Sequence, residues 1–158
     1  HHPPEDGQIL LALGQGSGRH PGIGDDHIGR AEAADEVLGR GMQGGRIGDI
    51  SHAIAEVAHA DGYSINTDFG GHGVGRVMHG DPHVPNDGKP NRGYPLRPGL
   101  VVALEPWFLQ TTDELVTDPD GWTLRSVDGS RGAHAEHTVA ITADGPIILT
   151  DRSFLGVD

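Results

Sequence analysis

The apolar positions follow different rhythms along the chain. Ile47, Ile50, Ile54 and Val57 recur at intervals of three, four and three. That is one face of a helix, and it predicts a helix from about Gly48 to Asp61. Asp49 in the first turn suits the positive end of the helix dipole, and Gly62 suits a left-handed C-terminal cap. Leu100-Val101-Val102-Ala103-Leu104 is an unbroken apolar run, as expected of a strand buried on both faces. Trp122 to Ser126 and the segment from Ser130 onward flank Val127-Asp128-Gly129, a hairpin signal. A further strand over 135–142 turns at Ala143-Asp144-Gly145 into Pro146-Ile147-Ile148-Leu149. Upstream, the Ala- and Glu-rich stretch 31–42 predicts another helix, broken by Gly44-Gly45. Residues 1–30 stand apart from 31–158: a single apolar run, Ile9 to Leu13, predicts a strand over 8–13, followed by a Gly/His/Pro/Asp-rich loop. Helices followed by strands imply an α+β fold, with helices packed on one face of a largely antiparallel sheet.

Composition narrows the function classes. At 158 residues the chain fits one domain and buries roughly 70% of its unfolded surface. It has no cysteine, so disulfides and thiolate metal sites are excluded, and any metal must take His, Asp or Glu. Eleven Lys+Arg against 23 Asp+Glu, a net charge of −12, argue against nucleic-acid binding and against docking on an anionic membrane. No apolar run approaches the ~18–20 residues of a membrane-spanning helix. The opening His1-His2-Pro3-Pro4 does not read as a basic-then-apolar leader, so a cytoplasmic location is expected. The 11 histidines invite a search for fixed spacings with carboxylates.

Three segments place metal-capable side chains at the ends of β runs. GGHGVGRVMHGDPHVPN at 70–86 holds His72, His79 and His83. Glu105 closes the apolar run in LVVALEP, where a carboxylate is costly to bury unless paired or bound to metal. Glu136 falls in GAHAEHTVAIT at 132–142. Taken singly, each has a plain alternative: a strand-end Glu reaching solvent, a solvent-facing Glu beside Thr138 and Ala140, a surface or core histidine. Together, one histidine and two carboxylates form a ligand set suited to Mn, Fe, Co or Zn. Spacings of 26 and 31 residues are too long for a local loop motif and fit ligands gathered from separate strands.

As a set, GHGVGRVMH with HVPN, the stretch from Pro98-Gly99-Leu100 to Glu105-Pro106, and GWTLRSVDGS with AEHTVAIT resemble the C-terminal half of the type I methionine aminopeptidases, metallopeptidases of the pita-bread fold. RIGDISHAI and DGYSI also follow that family, and the resemblance covers roughly 31–150. It implies a partial pita-bread fold, with helices on one face of a curved, largely antiparallel sheet. It implies His79, Glu105 and Glu136 as metal ligands, Glu136 bridging two ions and Glu105 also shuttling a proton. His72 would orient or contact substrate, and Trp122 would line the pocket for the methionine side chain. The implied activity is metal-dependent removal of N-terminal methionine from peptides or nascent proteins, with one or two divalent ions (Co, Mn, Fe or Zn).

The departures lie in the first half. The family uses two further aspartate ligands and an N-terminal histidine. If PEDGQILLALG at 4–14 is aligned to the strand that carries the first aspartate, Leu13 takes the ligand position, and leucine cannot bind metal. Asp25 or Asp26 could stand for the second. After the ligand histidine the family's acidic pair becomes Gly80-Asp81. An open sheet edge in a partial fold favours a homodimer. Two other readings compete: a non-catalytic fragment or binding module of the same fold, and another pita-bread peptidase such as an Xaa-Pro aminopeptidase. HVPN and GWTLRSVDGS favour the methionine-specific branch.

Overall fold

A computed structural model of the chain describes residues 45–151. The expectations for the helix 31–42, the strand 8–13, Leu13, Asp25, Asp26 and the boundary near residue 30 lie outside the described residues.

The helix α1 runs Ile47–Ala60. Its predicted face is its buried one: Ile47, Ile50 and Ile54 are buried, with Ala53, Ala55 and Ala58, and Val57 is partly buried against them. The helix start would leave amide N–H groups without partners. A loop supplies them: Ile47 and Gly48 donate to the carbonyls of Tyr94 and Arg92, both at 2.9 Å. Asp49 completes the entry by accepting from the Arg46 and Asn91 amides, each at 2.7 Å. The helix closes as expected on Gly62, at φ +77°. Gly62 donates to His59 and Tyr63 to Ala58, the paired bonds of a Schellman cap. Ile50 is 1% exposed. Ile50→Ala should therefore cost about 2–5 kcal/mol, read as a lowered urea midpoint; a change under about 0.5 kcal/mol would mean that α1 is not docked as described.

Among the described residues ten strands follow: β1 Ser64–Ile65, β2 Gly70–Gly73, β3 Gly80–Pro85, β4 Val101–Leu104, β5 Trp107–Leu109, β6 Leu115–Thr117, β7 Leu124–Ser126, β8 Gly132–His134, β9 His137–Thr142 and β10 Gly145–Ile148. They form a five-stranded sheet in the order β10-β9-β4-β2-β3, a three-stranded sheet β1-β5-β8, and the ribbon β6-β7. Every strand pairing among them is antiparallel. The apolar run is the central strand β4, with Val102, Ala103 and Leu104 buried. Its side chains join α1, Ile65, Val84, Phe108, Val139 and Ile141 in one core. The described part is α+β, one helix against largely antiparallel sheet, as expected.

Two local expectations are corrected. The strand expected over 135–142 begins at His137, because Ala135 and Glu136 form a break between β8 and β9. The hairpin expected around Val127-Asp128-Gly129 is instead β6–β7, which turns through Asp118–Thr123. Pro119-Asp120-Gly121 there is itself a strong turn tripeptide. The Asp128-Gly129 turn exists too, with Gly129 at φ +75°, but it passes the chain from β7 to β8 in a different sheet.

Candidate metal centre

β4 and β5 are nearly one strand, and so are β8 and β9. Leu104 pairs with His137, and Trp107 pairs with His134. The register is therefore the same on both sides of the break. Carrying it through sets Glu105 opposite Glu136 and Pro106 opposite Ala135, the latter joined by the Ala135 amide donating to the Pro106 carbonyl at 3.4 Å. Both strands break at one level because Pro106 cannot donate to the ladder. At this level the chain leaves one sheet for the other. Two carboxylates 31 positions apart in sequence thus become cross-strand neighbours.

The neighbouring register adds imidazoles to the same face. His72 pairs with Ala103, two residues from Glu105, and His134 lies two residues from Glu136. His72 Nε2 stands 3.3 Å from Glu105 Oε1, and His134 Nε2 stands 3.5 Å from Glu105 Oε2. His72 Nδ1 is 3.0 Å from the Gly73 carbonyl. A carbonyl only accepts, so Nδ1 carries a proton, and the ring turns its Nε2 toward the carboxylate.

Glu105 is held from behind as well. Asn86 is 1% exposed. Its Nδ2 donates to the carbonyls of Glu105 and Phe69, both at 3.3 Å, and to that of Asn66 at 3.5 Å. Three carbonyls around one end of the amide fix that end as the NH2 group. Asn86 thereby ties the backbone of Glu105 to the end of β3 and to the turn after β1. Trp107, 2% exposed, lies between Phe69 and His134, with ring centroids at 5.4 and 4.2 Å.

Glu105, His134 and Glu136 each bring one donor atom within 4.8 Å of the others. Carboxylate oxygen with imidazole nitrogen suits a divalent first-row ion. The His134 Nε2 is buried with no hydrogen-bond partner among the described residues. These residues fit a metal.

The sequence-predicted residues divide accordingly. Glu105, Glu136 and His72 converge. His79 is exposed and rests its ring on that of His72, centroids 4.4 Å apart, outside the three-donor group. Trp122 is half-exposed on the β6–β7 turn, its amide donating to Asp120 Oδ1 at 2.9 Å. Sequence reasoning missed His134, Trp107 and Asn86. The His134-x-Glu136 spacing, two residues apart on a β run, was the available signal for the first.

The turns around Trp122 and after β7 rest on exposed aspartates. The Thr123 hydroxyl, with the Trp122 and Thr123 amides, holds Asp120 down at about 2. The Thr111 hydroxyl and Ser130 do the same for Asp128, also to about 2. A lowered folded-state value favours the folded form above the ordinary aspartate range near 3.9, and that contribution is lost as pH falls through about 2. Carboxyl-carbon NMR should show both groups titrating near pH 2; midpoints near 3.9 would mean the turn bonds are not formed in solution.

One helix against a bent antiparallel sheet, with two carboxylates meeting at the bend, defines a class: half of a pita-bread fold. The chain belongs to metallopeptidase family M24, whose sequence pattern matches residues 30–143. It is 47% identical over 124 residues to a methionine aminopeptidase of Aquifex aeolicus, covering 76% of this chain and 47% of that protein. It is 41% identical over 154 residues to methionine aminopeptidase 1 of Mycobacterium tuberculosis, covering 91% of this chain and 56% of the relative. Among solved structures, the methionine aminopeptidase of Thermotoga maritima superposes with a TM-score of 0.72 at 43% identity, over 77% of this chain and 49% of that one. The chain spans about half the length of the relatives it matches. A dipeptidase from Pyrococcus horikoshii shares the fold at 21% identity, with a TM-score of 0.54.

Proposed function

We propose that this chain is the metal-binding, C-terminal part of an aminopeptidase that removes N-terminal methionine from peptides or nascent proteins in the cytoplasm. The observation that carries the reading is the Glu105–Glu136 pairing at the strand break, in a chain whose relatives are named methionine aminopeptidases. Residues 31–158 are the catalytic-domain part, and 1–30 the divergent segment. Glu105 and Glu136 would hold one or two ions of Co, Mn, Fe or Zn; His79, the histidine that the resemblance adds to this set, stands exposed beside His72, outside the three-donor group. When bound, such an ion would supply Lewis-acid polarisation of a carbonyl and lower the pKa of water to near 7. Glu105, set between two imidazoles and backed by Asn86, takes the proton of the attacking water and returns it to the leaving amine. His72, beside Glu105, orients the substrate. Trp122 offers an aromatic wall for the methionine side chain.

The competing reading is a metal-binding module of the same fold without turnover, which relatives named methionine aminopeptidases do not favour. Release of free methionine from a Met-Ala-Ser peptide, with Co or Mn supplied, separates the two. The enzyme reading expects release that Glu136→Ala abolishes. Metal binding with no release at any metal concentration overturns it in favour of the module.

A further inference from the structure

We propose that His134 supplies a nitrogen ligand to the ion held by Glu105 and Glu136, adding an imidazole outside the set implied by the family resemblance. The inference rests on the metal-binding reading of that carboxylate pair.

Three features of His134 point the same way. Its Nε2 is buried and has no hydrogen-bond partner among the described residues. Buried nitrogens are ordinarily satisfied, so an orphan aimed at a carboxylate needs an explanation. The distance supplies one. Nε2 stands 3.5 Å from Glu105 Oε2, too long for a charge-assisted hydrogen bond of about 2.7–2.9 Å. Two ligands of one tetrahedral ion, each bonded at about 2.1 Å, stand roughly 3.4 Å apart. The separation suits two donors sharing a cation, as does the 3.3 Å from His72 Nε2 to Glu105 Oε1; what sets His134 apart is that its Nε2 is buried and unpartnered and lies in the three-donor group. Lastly, the ring is set in place. It packs against Trp107 with centroids 4.2 Å apart and the planes tilted by 32°, and Trp107 is itself buried against Phe69.

His79 offers a contrast. It is exposed, lies in the bend between β2 and β3, and contacts His72 rather than the carboxylate group. His134 is carried by the same strand pair as both glutamates. Its position is fixed by the register that makes the carboxylates neighbours.

The decisive readout is long-range proton–nitrogen NMR of the uniformly 15N-labelled 158-residue chain, titrated with Zn2+. The His134 Nε2 resonance should move to a metal-bound position and saturate together with the Glu105-dependent binding seen by calorimetry. His134→Gln should weaken Zn2+ binding at least about tenfold, and so should His134→Phe, which keeps a ring against Trp107 without donor atoms. Both should leave the circular dichroism unchanged. Zn2+ binding that Glu105→Gln abolishes, with the His134 Nε2 resonance unmoved and His134→Phe binding as tightly as the parent, overturns the His134 assignment and leaves the carboxylate reading standing. A His134 Nε2 that is protonated and stays so at saturating Zn2+ also overturns it. No Glu105-dependent Zn2+ binding at all overturns both. If the variants misfold, the titration of the unsubstituted chain decides alone.

Discussion

Replacing Glu105 by alanine is expected to weaken divalent-metal binding at least about 100-fold, more than any other single change in the described part of the chain. Losing a group that only orients a ligand typically costs 10–100-fold, and Glu105 is placed to be a ligand itself. Both of its oxygens are committed in space, Oε1 toward His72 at 3.3 Å and Oε2 toward His134 at 3.5 Å. Its side chain is 15% exposed. Water therefore cannot readily substitute for it. Glu105→Gln separates charge from shape: the amide keeps the volume but presents one oxygen and no charge, and should fail almost as badly. His79→Ala should have a smaller effect than either, since His79 stands exposed beside His72. Calorimetric titration with Mn2+ or Zn2+ reads all three. Equal affinity in Glu105→Ala and the parent chain would remove Glu105 from the site.

Gly71→Ala is expected to destabilise the fold by about 3 kcal/mol, the upper end of the cost of overfilling a packed interior. Gly71 sits in β2, between β3 and the central strand β4. A β-carbon there would strike the carbonyl oxygen of Ala103, with the Ala103 carbonyl carbon and Val84 Cβ each only 3.1 Å away. The obstacle is backbone on one side and a buried side chain on the other, so neither can swing aside. Relief requires β2 to part from β4, which also moves His72 off Glu105. The variant should therefore lose urea stability and metal affinity together. A loss below about 0.5 kcal/mol would mean that the three strands are not in this register.

How much of this could be read from the residues depends on the range of the interaction. The α1 face and its Gly62 cap are local, set by spacing and by one residue's backbone freedom, and the sequence reading and the structure agree there. The same holds for the run Leu100–Leu104, which becomes the central strand. Glu105 and Glu136 were marked as candidates, but their direct opposition is a matter of register between distant segments. No spacing along the chain encodes it. His134 is hidden for the same reason: its nearness to Glu105 comes from the pairing of Trp107 with His134 at the end of β8, not from any spacing along the chain. The β6–β7 ribbon is not legible locally because two turn signals, Pro119-Asp120-Gly121 and Val127-Asp128-Gly129, compete, and only pairing partners decide between them. Asn86 gives no sign in the sequence: its role is to hold three carbonyls, those of Asn66 and Phe69 in the turn after β1 and that of Glu105.

The central claim is that a divalent ion sits at the strand break between Glu105 and Glu136. The most direct test is an anomalous difference map from crystals of the chain grown with Mn2+ or Zn2+. The account predicts a peak within about 2.0–2.2 Å of a carboxylate oxygen from each of the two glutamates. A peak elsewhere, or none at saturating metal, would contradict it.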